Sequence, residues 1–223
     1  MRRCLILVLC AAWQTSICEV WKGEYFENVR RMMIRNTDEL LAQISKGTPI
    51  DYVFFWGHRP PKSGVSKSCF SQWYEAPFEA DGIVYPTAEH YMMAGNAKLF
   101  HDGETLAKIL TAKTASEAKK LGRLVKGFDD DIWQKHRFDI VVSANLAKFG
   151  YFPELKAFLM STSRRVLVEA SPTDRIWGIG LAANDSKSTD PSQWKGLNLL
   201  GFAVMEVRQQ LRGESSLTFD SVE

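Results

Sequence analysis

Between residues 87 and 160 the chain runs through four or five helical segments in succession, at about 87–99, 103–111, 116–125, 130–149 and 153–160. Only a few residues separate one segment from the next, and Gly, Asp, Thr and Pro are among them. Helices joined by such short turns must bury their apolar faces against one another, which leaves no length for a large sheet. Strand-like runs are short: "DYVFFWG" at 51–57, "FEADGIVYP" at 78–86 and "RRVLVEAS" at 164–171. In the second, Asp81-Gly82 sits between apolar positions, the pattern of a tight hairpin. The expected fold is mainly α, a single helical domain with a few short β-strands. A chain of 223 residues is long enough for one sizeable core.

The amino end reads differently. "MRRCLILVLCAAWQTSIC" pairs two Arg with an apolar run at 4–13 and small residues near a cleavage point, as a secretory signal does. The run is too short for a comfortable membrane span. Three of the four Cys (Cys4, Cys10 and Cys18) lie in it, leaving Cys69 for the body. No Cys-x-x-Cys pattern or disulfide framework exists, which fits a reducing compartment. The two signals conflict: secretion follows from residues 1–18, a cytoplasmic protein from the body. Further on, "NTDELLAQISKG" is helical, with Thr37 as N-cap, Asp38 and Glu39 in the first turn, and Gly47 as the stop. The expected organisation is an extension at 1–22, a helical segment at 23–50, the main domain at 51–212 and a frayed tail at 213–223.

A net charge of +2 is too small to mark a nucleic-acid binder by itself, and a local basic face remains open. Seven Trp and thirteen Phe suit either the stacking of planar ligands or a large aromatic core. In "YPTAEHYMMAGNAKLF" (85–100), Ala88, Tyr91, Met92, Gly95 and Leu99 form one helical stripe, and Glu89, Met93, Asn96 and Phe100 the stripe beside it. Glu89 thus lies at the border of an apolar face. It is either a first-turn acid favoured by the helix dipole or a cleft-wall carboxylate with a raised pKa. In "SEAKKLGRLVKG", Ser116 and Glu117 open a helix whose Lys119, Lys120, Arg123 and Lys126 make a strip for phosphate or a solvated face. In the next helix Asn145 shares a side with Phe138, Val141, Val142 and Phe149, and needs a hydrogen-bond partner there. Trp133 is core or a stacking plate. The carboxyl-terminal part adds Glu169, Asp174, Trp177-Gly178 and Asn198. No metal-ligand cluster or Gly-rich dinucleotide loop is present in the sequence, so no metal site and no cofactor are expected.

Taken together and in order, "CFSQWYEAPFEADGIVYPTAEHYMMAGNAKLF", "SEAKKLGRLVKGF", "DIWQKHRFDIVVSANLAKF", "DRIWGIGL" and "WKGLNLLGFAVMEVR" resemble the NADAR superfamily, the YbiA-like N-glycosidases. The resemblance covers about residues 52–211. It implies a mainly helical YbiA-like domain in the cytoplasm that hydrolyses a ribose C1–N bond. The substrate it implies is either a phosphoribosylamino-pyrimidine intermediate of riboflavin synthesis or ADP-ribosyl-guanine in DNA or RNA, with no membrane partner. Carried over residue by residue, Glu89 is the principal catalyst, and Asp174 the second carboxylate with Glu169 its competitor. Phe70, Ser71, Trp73, Asn96, Arg123, Trp133, Trp177, Gly178 and Asn198 bind substrate.

One position departs from the pattern. The family commonly carries a Lys seven residues after the Glu of "EHY", linked to a covalent sugar–imine route, and here that position is Asn96. Lys98 projects about 180° away from Glu89 and cannot replace it. Either hydrolysis proceeds here by acid–base chemistry alone, or the chain is an ADP-ribose or NAD binding module without turnover. A secreted interaction protein is the third reading and rests on residues 1–18.

Overall fold

The computed structural model describes residues 34–217, with side chains as far as 213. The expected 1–22 extension, residues 23–33 of the expected 23–50 helical segment and the end of the tail lie outside the described residues. Helix α1 (Thr37–Ser45) starts one residue earlier than Thr37 would cap it. Asn36 is the N-cap, its Oδ1 accepting from Glu39 N at 2.9 Å, while the Glu39 carboxylate accepts from Arg35 N.

Strand β1 (Tyr52–Phe55) leads through a short 3-10 turn (Lys67–Phe70) to a hairpin of β2 (Phe78–Ala80) and β3 (Ile83–Tyr85). The hairpin turns at Asp81 and Gly82, both at positive φ (53° and 72°), which is why a glycine stands in the second position. Helix α2 (Ala88–Leu99) is capped by the Thr87 hydroxyl, and α3 (Gly103–Leu110) by Asp102. Helix α4 (Ala115–Gly122) is capped by Thr114 rather than Ser116, with Glu117 Oε2 accepting from Lys113 N at 2.8 Å. The helix stops at Gly122, three residues short of the expectation. The long α5 (Asp130–Tyr151) and α6 (Pro153–Ser161) follow the sequence reading closely. The chain then forms β4 (Val166–Glu169) and, after a long loop, α7 (Leu199–Leu217).

The two longer strands, β1 and β4, are parallel neighbours, with Tyr52 opposite Val166 and Phe55 opposite Glu169. A parallel pair needs a long crossover, and the run of helices α2 to α6 supplies it. Helix α5 packs against α2 and α7, and α7 also covers β4. Phe55, Phe70, Phe78, Tyr85, Met92, Ile109, Val141, Phe149 and Leu159 make one buried cluster. On α2 the expected stripes are redistributed. Glu89, Met93 and Asn96 are buried, whereas Tyr91, Gly95 and Leu99 are only half-buried. They line an open groove of about 580 Å³ together with Tyr85, Lys98, His101 and His136. No described helix is long and apolar enough to cross a membrane.

Candidate active site

Glu89 stands in the first turn of α2 and is 2% exposed. Its backbone N–H donates to Gln72 O at 2.9 Å, which fastens the turn to the strap between the 3-10 turn and the hairpin. Its Oε1 is buried without a hydrogen-bond partner. Burial pushes the carboxyl up to about 7. Lys119, a hydrogen bond from the Trp73 side chain and Arg123 oppose the rise, and Asp174 adds to it.

The second buried acid is Glu169, at the carboxyl end of β4. Its pKa is raised to about 8 by burial and then by the charges of Asp174 and Glu89, against Lys119. Its Oε2 also lacks a hydrogen-bond partner. Asn198 fixes this end of the strand: its Oδ1 accepts from Glu169 N and its Nδ2 donates to Leu167 O, both at 2.9 Å. The loop after β4 folds back on the same point. Asp174 Oδ1 accepts from Ile176 N at 2.8 Å and Trp177 N at 2.7 Å, closing an Asx-type turn. Gly178 passes so close that a Cβ there would lie 2.8 Å from Glu169 O and 3.1 Å from Asp174 O.

Three carboxylates therefore face two cations. Lys119 and Arg123 come from successive turns of α4's carboxyl end, and Lys119 Nζ lies 5.8 Å from the Trp73 ring centre. The imidazole of His58 lies 5.7 Å from the same indole. Trp73 thus has the Glu89 carboxylate, an ammonium and an imidazole around it. Two acids that both titrate near neutrality and repel each other hold a single proton between them over that range. Their environments divide the roles. Glu89 has a hydrogen bond and two cations favouring its ionised form, while Glu169 has two carboxylates favouring its protonated form.

Of the residues singled out from the sequence, Glu89, Trp73, Arg123 and Asp174 come together here. Asp174 spends Oδ1 on its own turn and is half-buried, whereas Glu169 Oε2 is buried with no partner. Ser71 is half-buried beside the site, its Oγ accepting from Trp73 N at 3.2 Å. Phe70 and Asn198 are both 0% exposed and have no surface for a ligand. Phe70 packs on the rings of Phe55, Phe149 and Phe158, and Asn198 braces β4. Trp133 and Trp177 are half-buried against the core. Asn96 is buried, its Nδ2 donating to Gly122 O at 3.0 Å, which ties α2 to the end of α4. Asn145 has the partners its position demanded, donating to Gln72 Oε1 at 2.7 Å and Val141 O at 2.8 Å. Gln72 and Lys148 are not among the residues that the sequence singles out. Lys148 lies seven residues beyond Val141, a spacing that puts it on the buried side of α5. Among the described residues, no group of three or more His, Cys, Asp or Glu is arranged to hold a metal ion.

The chain belongs to the NADAR domain family, whose profile matches residues 54–212. It is 41% identical over 164 residues to N-glycosidase R617 of Acanthamoeba polyphaga mimivirus, covering 71% of this chain and 95% of that protein. It is 33% identical over 140 residues to the chloroplastic riboflavin biosynthesis protein PYRR of Zea mays, covering 60% of this chain but 21% of that one. The NMR structure of Escherichia coli YbiA superposes with a TM-score of 0.60 at 27% identity, covering 75% of this chain and 89% of YbiA.

Proposed function

We propose that this chain is an N-glycosidase that hydrolyses the bond between ribose C1 and a base nitrogen. The observation that carries this reading is the pair of buried carboxyl groups, Glu89 and Glu169, each with an oxygen lacking a partner and both interacting with Lys119, with Trp73 and Arg123 at Glu89. Loss of the base from a ribose builds positive charge on C1 and the ring oxygen. Ionised Glu89 stabilises that charge and accepts a proton from the attacking water. Protonated Glu169 delivers its proton to the departing nitrogen. In the balance, water oxygen bonds to C1, the C1–N bond breaks, and the two protons of water end on the sugar hydroxyl and, through the acids, on the base. Lys119 and Arg123 take the phosphate of the sugar, and Trp73 covers the reacting centre.

The substrates that fit are the two the resemblance implies, an ADP-ribosyl-guanine or a phosphoribosylamino-pyrimidine. The printed name of the PYRR relative, a riboflavin biosynthesis protein, supports the second. A specific observation favours another reading, a module that binds ADP-ribose without turnover. Asn96 occupies the position of the family lysine and is hydrogen-bonded to backbone, so no amine stands there to attack C1. Incubation with ADP-ribosylated guanine DNA and, separately, with the riboflavin intermediates decides between them. Free sugar that ceases to appear in Glu89→Gln and Glu169→Gln supports the enzyme; saturable binding without release supports the module. An Asn96→Lys variant that turns over where the native chain does not would locate the defect in the missing amine.

A further inference from the structure

Helix α5 carries a charged residue that the proposed chemistry does not use. Lys148 is 0% exposed and stands on the same side of the helix as Val141 and Asn145. Its Nζ donates to Cys69 O at 3.0 Å and to Ser71 O at 3.3 Å, and lies 4.8 Å from the Phe149 ring centre. Its electrostatic neighbour is the buried Cys69 thiol, not a carboxylate. An ammonium without a counter-ion is costly to bury, and a Met or Leu would fill the same space without that cost. What an aliphatic chain cannot do is donate hydrogen bonds to those carbonyl groups.

Those carbonyls belong to the 3-10 turn and to the first residue of the strap that follows it and presents Trp73. Residue by residue, Cys69 O and Ser71 O receive Lys148, Ser71 Oγ receives Trp73 N, Gln72 Oε1 receives Asn145, and Gln72 O receives Glu89 N. We infer that Lys148 is a positioning residue: from α5 its side chain clamps the carbonyl oxygens of Cys69 and Ser71 and so seats Trp73 against the Glu89 carboxylate. The clamp tolerates loss of a proton, because a neutral amine still has two N–H donors for the two carbonyls. Its bearing on catalysis rests on the N-glycosidase reading, whereas its bearing on the Glu89 carboxyl does not.

The test is a carboxyl titration of Glu89 in the full chain, followed by NMR of protein labelled with ¹³C at glutamate Cδ and assigned from the signal missing in Glu89→Gln. The Trp73 hydrogen bond favours ionised Glu89, so Trp73→Phe should raise the midpoint by about one pH unit. Lys148→Met should raise it by a similar amount, and the double variant should rise no further, since both lesions remove the same contact. Val142→Ala, a core truncation on the same helix, should cost stability and leave the midpoint in place. If Lys148→Met does not fold, Lys148→Gln, which keeps amide donors on a shorter arm, is read against the same scale. A Glu89 midpoint unmoved by either Lys148 variant, or by Trp73→Phe, overturns the inference. So does a double variant whose shift equals the sum of the two, because Lys148 would then act through its charge alone. No substrate enters the measurement. An inactive chain with a non-additive cycle would refute the enzyme and keep the clamp.

Discussion

Glu89→Gln should make the protein more stable at neutral and alkaline pH while removing its activity, and the size of the gain follows from the burial of the carboxyl. The group is 2% exposed, with a folded-state pKa of about 7 against an ordinary 4.5. Below 4.5 it is neutral in folded and unfolded chains alike. As pH rises from 4.5 to about 7 the unfolded chain releases the proton and the folded chain keeps it. Each pH unit then takes about 1.4 kcal/mol from the folded state. The loss is complete at about 7 and amounts to something on the order of 3 kcal/mol. Glutamine is neutral throughout and escapes it. The variant should therefore exceed the native protein by less than about 1 kcal/mol in urea denaturation at pH 5 and by roughly 3 kcal/mol at pH 8, or roughly 8 °C in melting temperature. A smaller second gain should appear between pH 7 and 9, because Glu169 loses a like-charged neighbour and its own pKa falls from about 8. Turnover should drop at least about 100-fold, the lower end of what a positioned acid–base group contributes. A stability difference that is the same at pH 5 and pH 8 would refute the reasoning, for it would mean the acid ionises in contact with water.

Three further outcomes are expected. The native pH–kcat profile should be a narrow bell with limbs near 7 and 8, and Glu169→Gln should abolish the alkaline limb, leave the acid limb in place and cost about 100-fold or more in kcat. The acid limb survives because Glu169 is still protonated while Glu89 titrates. Arg35→Ala should cost about 2 kcal/mol in urea denaturation, because it strands Glu206, 2.8 Å from the Arg35 Nε and 9% exposed; adding Glu206→Gln should recover most of it. Asn198→Ala should cost about 2 kcal/mol through the two lost backbone contacts of β4 and should lower kcat by loosening Glu169, measured by denaturation and steady-state kinetics.

The helices were legible because their signals are local: the periodicity of 130–149, Pro153 at the start of the next helix, and Asp81-Gly82 in the hairpin. Where the caps moved, a reciprocal glutamate decided between neighbouring hydroxyl and amide acceptors. Glu39 reaches Arg35 N and selects Asn36 over Thr37; Glu117 reaches Lys113 N and selects Thr114 over Ser116. The site was legible where a residue type is unusual for its position, as with Glu89 at the edge of an apolar face. It was not legible where two residues of one type compete and tertiary contact allots their oxygens. Asp174 and Glu169 are equivalent in sequence, yet the first turns Oδ1 into the turn at Ile176 and Trp177 and is half-buried, while Oε2 of the second is buried without a partner. Phe70 and Asn198 lie within motifs of the family, and motif membership does not distinguish a ligand contact from a brace.

The two readings of Glu89 are separated by magnitude. A first-turn acid that served the helix dipole would be stabilised as an ion by about 0.3–1 kcal/mol and titrate below 4.5. The dipole is available here, but Thr87 already caps the helix, and the Glu89 carboxyl directs no hydrogen bond at its own first turn. Burial moves the group the other way, to about 7, even with Lys119, Arg123 and the Trp73 hydrogen bond opposing it. The desolvation cost therefore outweighs two cations and an indole donor combined. A fold tolerates an acid under such a penalty when the same placement does something that a neutral side chain cannot. With the strap at Gln72 holding its backbone and Glu169 at the end of β4 competing for one proton, this position supplies a carboxylate ready to exchange that proton near neutral pH.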